Sequence, residues 1–149
     1  MKQIPMHWIG AGISAALIFI IDRITKWYAI QYCVQPVNVL PFFSCVLTYN
    51  TGVSWGLFAD AHHYLIITII MSMVFFMCGY MMRHAQNALL VYATSSIITG
   101  ALANMIDRLW YGAVVDFIMI SWRNWHFPVF NIADCAIVIG VLVLLGVRE

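Results

Sequence analysis

The chain has 149 residues, 64% of them hydrophobic and only 9% charged, with a formal net charge of +1. Soluble domains run near half apolar and about a quarter charged, so a water-soluble fold of this length could not hide so much apolar surface. The near-neutral balance excludes a basic field for nucleic acid and an acidic tail, and the length permits one domain.

A membrane-spanning helix needs roughly 20 mostly apolar residues, and four segments qualify, at about 8–28, 64–82, 88–106 and 130–147. The first has Lys2 ahead of an apolar core, as a signal peptide has. Asp22, Arg23 and Lys26 follow it in place of a small-x-small cleavage site, so it reads as a retained span. Arg83-His84-Ala85-Gln86-Asn87 makes a tight join between the second and third spans. The other two joins, about 29–63 and about 109–129, are long. Four spans place both termini on one side and both long joins on the other, and function is expected there, because loops on a rigid scaffold carry most chemistry.

The first long join looks partly β. Val37-Asn38-Val39-Leu40 and Cys45-Val46-Leu47-Thr48-Tyr49 are strand-like, and Asn50-Thr51-Gly52 is a turn signal. Trp55, Leu57 and Phe58 follow as a short apolar stretch suited to a membrane surface. The second join holds Val114-Val115-Asp116-Phe117-Ile118, a strand-like run with an acid in its middle. Positive charge does not decide the orientation: Lys2, Arg83 and Arg148 on the termini side balance Arg23, Lys26, Arg108 and Arg123 on the other. Trp27, Trp55, Trp110, Trp122 and Trp125 all fall on the long-join side, which gives it the aromatic character of a lipid interface. Cys33 and Cys45 fall where a loop can bring them together. Nothing in a membrane-held fold demands a staple, which weighs against a disulfide without excluding one.

Charge in an apolar span is costly, so each such residue needs a reason. Asp60 and Glu149 read as ordinary solvated acids. Asp22, Asp107, Asp116 and Asp134 lie near span ends or within apolar runs on one side. Asp22 and Lys26 are spaced for an ion pair on one helix face, acid first. Asn104, Asp107 and Arg108 share a face, as do Asn131 and Asp134. For Asp22 with Lys26, and Asp107 with Arg108, a structural tie between helix ends is at least as good a reading as catalysis. Asp116 and Asp134 have no neighbouring cation in sequence and sit among Val, Phe, Ile and Ala. Two carboxyls that face each other in such a setting share a proton and titrate as a unit. One can then activate water while the other protonates a carbonyl oxygen.

These residues fall in five motifs that resemble those of lipoprotein signal peptidase (signal peptidase II), in order along nearly the whole chain. They are Asp22-Arg23-Ile24-Thr25-Lys26; Asn50-Thr51-Gly52-Val53-Ser54-Trp55-Gly56; the stretch from Gly100 through Asn104 to Asp107-Arg108; Val115-Asp116-Phe117-Ile118; and Phe130-Asn131-Ile132-Ala133-Asp134. The resemblance implies an all-α membrane protein of four transmembrane helices with a small extracytoplasmic β-cradle. It also implies an aspartic endopeptidase of the bacterial cytoplasmic (inner) membrane, active near the outer face. Its substrates would be diacylglyceryl-modified prolipoproteins, cut just before the lipidated cysteine. The catalytic pair maps onto Asp116 and Asp134. Asp22, Lys26, Asn50, Gly52, Asn104, Asp107, Arg108 and Asn131 map onto supporting or substrate- and inhibitor-contacting positions. Membrane lipid and cyclic peptide inhibitors such as globomycin are the implied partners; no metal, cofactor or nucleic acid is. Two residues depart from the pattern. Ala103 stands where the third motif usually has glycine, and Trp55 where a smaller or different apolar residue is common; both bear on pocket shape rather than on the acid pair.

Other chemistries fit less well. A Ser-Lys peptidase would need Lys26 beside Ser54 or Thr25, outside any matching motif. A zinc peptidase finds only the adjacent His62-His63 and no HExxH. The non-enzyme alternative is a small four-span ion or solute transporter using the same acids. Against it, both acids lie at one surface rather than mid-membrane, and no span is broken there by Gly or Pro.

Overall fold

The computed structural model describes residues 4–51, 59–84, 86–123 and 125–147, with the side chains of 59–64, 66 and 67 left undescribed. Over these residues the chain runs α1 (Met6–Tyr32), β1 (Val37–Leu40), β2 (Phe43–Asn50), α2 (Ala59–Arg83), α3 (Ala88–Tyr111), β3 (Val114–Trp122), β4 (Trp125–His126) and α4 (Ile132–Gly146). α1, α2 and α3 cover the apolar stretches read from sequence and reach further: α1 continues to Tyr32, α2 starts at Ala59, and α3 takes in Asp107 and Arg108 and runs on to Tyr111, into the expected join; α4 falls inside its expected span. α1 and α3 are long and apolar enough to cross a membrane by length and composition; 68–83 and α4 are shorter apolar helices.

The helices are inverted relative to those of a soluble protein. Along α1, Ile9, Ile13, Leu17, Ile20 and Ile24 stand exposed, while Asp22, Lys26, Ala29 and Cys33, at steps of four, three and four, are buried. Polar groups inside and apolar groups outside is the arrangement a bilayer favours and water does not.

α3 packs closely against α4 and lies beside α1 and α2 as well. Two glycines set the α3–α4 separation. A Cβ on Gly100 would lie 2.5 Å from the Ala133 carbonyl oxygen, and one on Gly140 would lie 2.7 Å from that of Ala93. Asn87 caps the start of α3 by accepting from the Leu90 amide. Gly112 ends it in the left-handed conformation (φ 72°), where a side chain would be strained. That reversal sends the chain straight into β3.

The strands form one antiparallel sheet in the order β1-β2-β3-β4. The three strand-like runs seen in sequence lie within β1, β2 and β3; the two-residue β4 is too short to leave a pattern. β2 pairs with β3 from Phe43↔Ile120 to Asn50↔Val114, with a register irregularity between Cys45 and Thr48 that leaves Thr48 opposite Asp116. Beyond β4 the chain returns to β3: the Phe117 and Ile118 amides donate to the Phe130 carbonyl, and the Phe130 amide donates to the Ile118 carbonyl. This clip closes the 18-residue separation between Asp116 and Asp134 that sequence alone left open.

Cys33 and Cys45 form a disulfide with Cα atoms 5.6 Å apart, against the weight of the sequence argument. Cys33 caps the C-terminus of α1 and Cys45 lies in β2, so the bridge fastens the sheet to a helix end rather than stapling a small core.

Candidate active site

The site lies where the ends of α1, α3 and α4 meet β2 and β3. On its α1–α3 side four charges pair. Asp22 accepts from Arg23 (2.7 Å) and lies 3.0 Å from the Lys26 ammonium; Asp107 accepts from Arg23 (2.7 Å) and Lys26 (2.7 Å). Asp22, Lys26 and Asp107 are buried. The two acids also organise backbone from other elements. Asp22 Oδ1 accepts from the Ala133 amide (3.0 Å) and so caps the first turn of α4 from across the bundle. Asp107 Oδ2 accepts from the Val115 amide (3.2 Å), one residue before Asp116. Ala103, where the motif comparison expects glycine, is fully buried, and its carbonyl accepts from Arg23 (3.2 Å).

The Asp22–Lys26 pair expected from helical spacing forms. The tie expected between Asp107 and Arg108 does not: among the described residues the ion pairs of Asp107 go to Arg23 and Lys26. Asp107 is instead taken up by two cations of α1, the helix beside it. Arg108 is half-buried and, among the described residues, reaches the Asn104 carbonyl at 3.5 Å. Its Nε is buried without a hydrogen-bond partner. Its charge is felt by Asp134 and Asp116.

On the other side the acids are held by amides. Asn104 Oδ1 accepts from Lys26 (2.8 Å), which fixes the flip of that side chain and aims its Nδ2 at Asp134 Oδ1 (2.7 Å). Asn131 Oδ1 accepts from the Asp134 amide (2.9 Å), and its Nδ2 donates to Asp116 Oδ1 (2.7 Å). Asn131 and Asp134 form a capping box at the start of α4. From β2, Asn50 Nδ2 donates to Asp116 Oδ2 (2.9 Å). Both oxygens of each acid are therefore occupied, and Asn131 touches both acids. The structure thus brings together Asp22, Lys26, Asn50, Asn104, Asp107, Arg108, Asn131, Asp116 and Asp134. Gly52, Trp55 and Phe58 lie outside the described residues.

Burial is the largest influence on Asp116 and pushes its carboxyl above the usual carboxylate value of 3.8. The Asn50 hydrogen bond pulls it back, the charge of Asp134 pushes it up, and Asn131 and Lys26 pull it down. Asp116 thus favours keeping a proton. Among the described residues no three His, Cys, Asp or Glu side chains converge as metal ligands. Sequence reasoning missed Arg23 as a bridge between two acids and Asp22 as the cap of α4; both join elements far apart in the chain, so no local spacing signals them.

The family model described as signal peptidase (SPase) II matches residues 14–147. A lipoprotein signal peptidase of Acinetobacter baylyi is 43% identical over 146 residues, covering 93% of this chain and 79% of its own. That of Thermodesulfovibrio yellowstonii is 40% identical over 136 residues, covering 90% of each. A bacterial membrane enzyme solved at 1.9 Å by the in meso method superposes with a TM-score of 0.84 at 28% identity, over 91% of this chain and 90% of that one.

Proposed function

Because the chain belongs to the signal peptidase II family, we propose that it is an aspartic endopeptidase that removes signal peptides from diacylglyceryl-modified prolipoproteins, cutting before the lipidated cysteine, with Asp116 and Asp134 as its catalytic pair. One observation supports the assignment of the pair: of the four buried or half-buried acids among the described residues, Asp22 and Asp107 are held by cations, whereas Asp116 and Asp134 are held by amides and joined through Asn131. Carboxyls held by amides rather than by cations in a buried setting can pass a proton between them. The transporter alternative gives way, because the family and its relatives carry peptidase names.

In the proposed reaction water attacks the scissile carbonyl carbon. Asp134 takes the proton from water as Asp116 gives its proton to the carbonyl oxygen, and a tetrahedral diol forms. The diol then collapses: the C–N bond breaks, the proton on Asp134 passes to the leaving nitrogen, and Asp116 recovers its own from a hydroxyl. Asn131 and Asn104 keep the two acids in register through both steps, and Lys26 keeps Asn104 from flipping. Arg108, whose Nε has no hydrogen-bond partner among the described residues, is proposed to meet a substrate carbonyl. Asn50, the last residue of β2, donates to Asp116; with Gly52 it is proposed to contact substrate, for which cyclic peptide inhibitors such as globomycin would compete.

All four helices are proposed to cross the bacterial inner membrane as one domain. The disulfide supports an orientation that charge counting left undecided: such bridges persist on the oxidising side, which favours the outer face for the sheet and the acid pair. Exposed Trp27, Trp110, Trp122 and Trp125 ring that end, as aromatic belts do at a lipid interface.

The test is purified protein with a diacylglyceryl prolipoprotein, read as a mobility shift. Cleavage should survive chelators, yield to globomycin, and require the lipid on the cysteine. Equal turnover of lipidated and unlipidated precursor at saturation, or loss in chelator restored by zinc, would overturn the reading.

A further inference from the structure

We propose that the Cys33–Cys45 disulfide is a positioning element of the reaction: it locks β2 to the end of α1 and thereby sets where Asn50 and Asp116 stand against the amide network. This rests on the assignment of Asp116 above.

Cys33 completes the buried face of α1 that begins with Asp22 and Lys26. The same helix end that fixes the charged cluster therefore also grips the sheet. Two links join it to β2: the disulfide, and the Leu47 amide donating to the Cys33 carbonyl at 3.0 Å. Cys45 stands opposite Ile118 in β3, and Ala29, Cys33, Cys45 and Phe117 make one buried apolar cluster beside it. Just past Cys45 comes the register irregularity, then Thr48 opposite Asp116, then Asn50, whose amide reaches Asp116. A bulge is a place where one strand can yield against another, and the bridge sits at its edge. β1, on the far side of β2, is a four-residue strand exposed along its length and offers little bracing. Asp116 is tethered from below by Asn131 and, through Val115, by Asp107. From above, Asn50 is its described partner, and the position of Asn50 depends on β2.

Loss of an ångström in such placement can cost up to about a hundredfold in rate. With the Leu47 hydrogen bond and the apolar cluster still in place, reduction should lower kcat about tenfold and leave KM within about twofold. The experiment uses the full-length protein in a Cys78→Ala, Cys135→Ala background, oxidised, reduced with a phosphine and then reoxidised, with thiol alkylation and mass measurement to establish the redox state. It is run beside Cys33→Ser, Cys45→Ser, which should match the reduced protein and ignore the reductant. Hydrogen exchange is followed in the same samples. Reduction should speed exchange at 48–50 and 114–116 and leave α3 and α4 unchanged. Recovery of kcat on reoxidation supports the proposal. An unchanged kcat in fully reduced protein, or a rise in KM alone, overturns it. If the oxidised protein cleaves nothing, the peptidase reading has failed instead. The exchange data then decide the positioning claim: equal exchange with and without the bridge overturns it, and faster exchange confined to the two strand segments upholds it.

Discussion

Two pairs of aspartates lie at the same end of the bundle and are treated oppositely. Asp22 and Asp107 share Arg23 and Lys26, and each also accepts a backbone amide from another element. Asp116 and Asp134 are held by Asn50, Asn104 and Asn131. The first pair behaves as masonry: fixed charge, paired and buried, joining α1, α3, β3 and the start of α4. The second is placed by that masonry, and the hydrogen-bonded path from Lys26 to Asp134 runs through Asn104. Burial alone therefore does not separate the two pairs; the kind of donor around each acid does.

The sharpest break in this comparison comes from Asp116→Asn and Asp134→Asn. Each should lower turnover by about a thousandfold, within the range of general acid–base catalysis. Neither will be silent in stability. Both oxygens of each acid accept from N–H groups, so an introduced amide sets a donor against a donor, at a cost of about 1–3 kcal/mol. Denaturation in detergent and cleavage rate should be measured on the same preparations. A folded Asp116→Asn protein with near wild-type turnover would remove Asp116 from the reaction.

Asp107→Asn should show the opposite balance. It removes one anion from a buried four-charge cluster, and breaking such a pair typically costs about 3–5 kcal/mol. Arg108→Ala serves as its control. Arg108 has no carboxylate ion pair among the described residues and only a 3.5 Å contact to the Asn104 carbonyl, so turnover should fall while the melting temperature hardly moves. Thermal melts of the two variants side by side decide it, and equal destabilisation would restore the Asp107–Arg108 tie that the structure lacks.

A smaller effect is expected from Asn50→Ala. Its hydrogen bond stabilises the charged form of Asp116 and lowers that carboxyl's pKa. Removing it should raise the pKa further. Asp134, Lys26 and Arg108, the charged groups whose fields reach Asp116, stay in place. In the proposed reaction Asp116 acts in its protonated form, so the rate should fall as pH rises through its pKa, and the alkaline limb should move to higher pH. A pH–rate profile checks the sign; a limb displaced to lower pH would contradict it.

Much of this site was legible in the sequence because helical spacing is a reliable ruler. Asp22 with Lys26, and Asn131 with Asp134, share a face and do interact. The ruler failed at Asp107 and Arg108, where adjacency was read as partnership. It could not see Arg23 reaching Asp107 84 residues away, or Asp22 capping an amide 111 residues away, because those contacts depend on how the helices pack. The sheet was legible as separate strands but not as a sheet: its register depends on a bulge and on Phe130 returning to β3. The disulfide was missed for a related reason. A bridge was judged by whether a small core needed one, whereas here it ties a helix end to a strand.

The difference between the two acid pairs can be read directly by infrared titration of the carboxyl stretch in purified protein. Asp116 should contribute a protonated-carboxyl band that persists at pH above the ordinary carboxylate range, disappears in Asp116→Asn, and survives in a folded Asp107→Asn protein. A persistent band that remains in Asp116→Asn, or its absence from the wild type, would contradict the assignment of the shared proton to the amide-held pair.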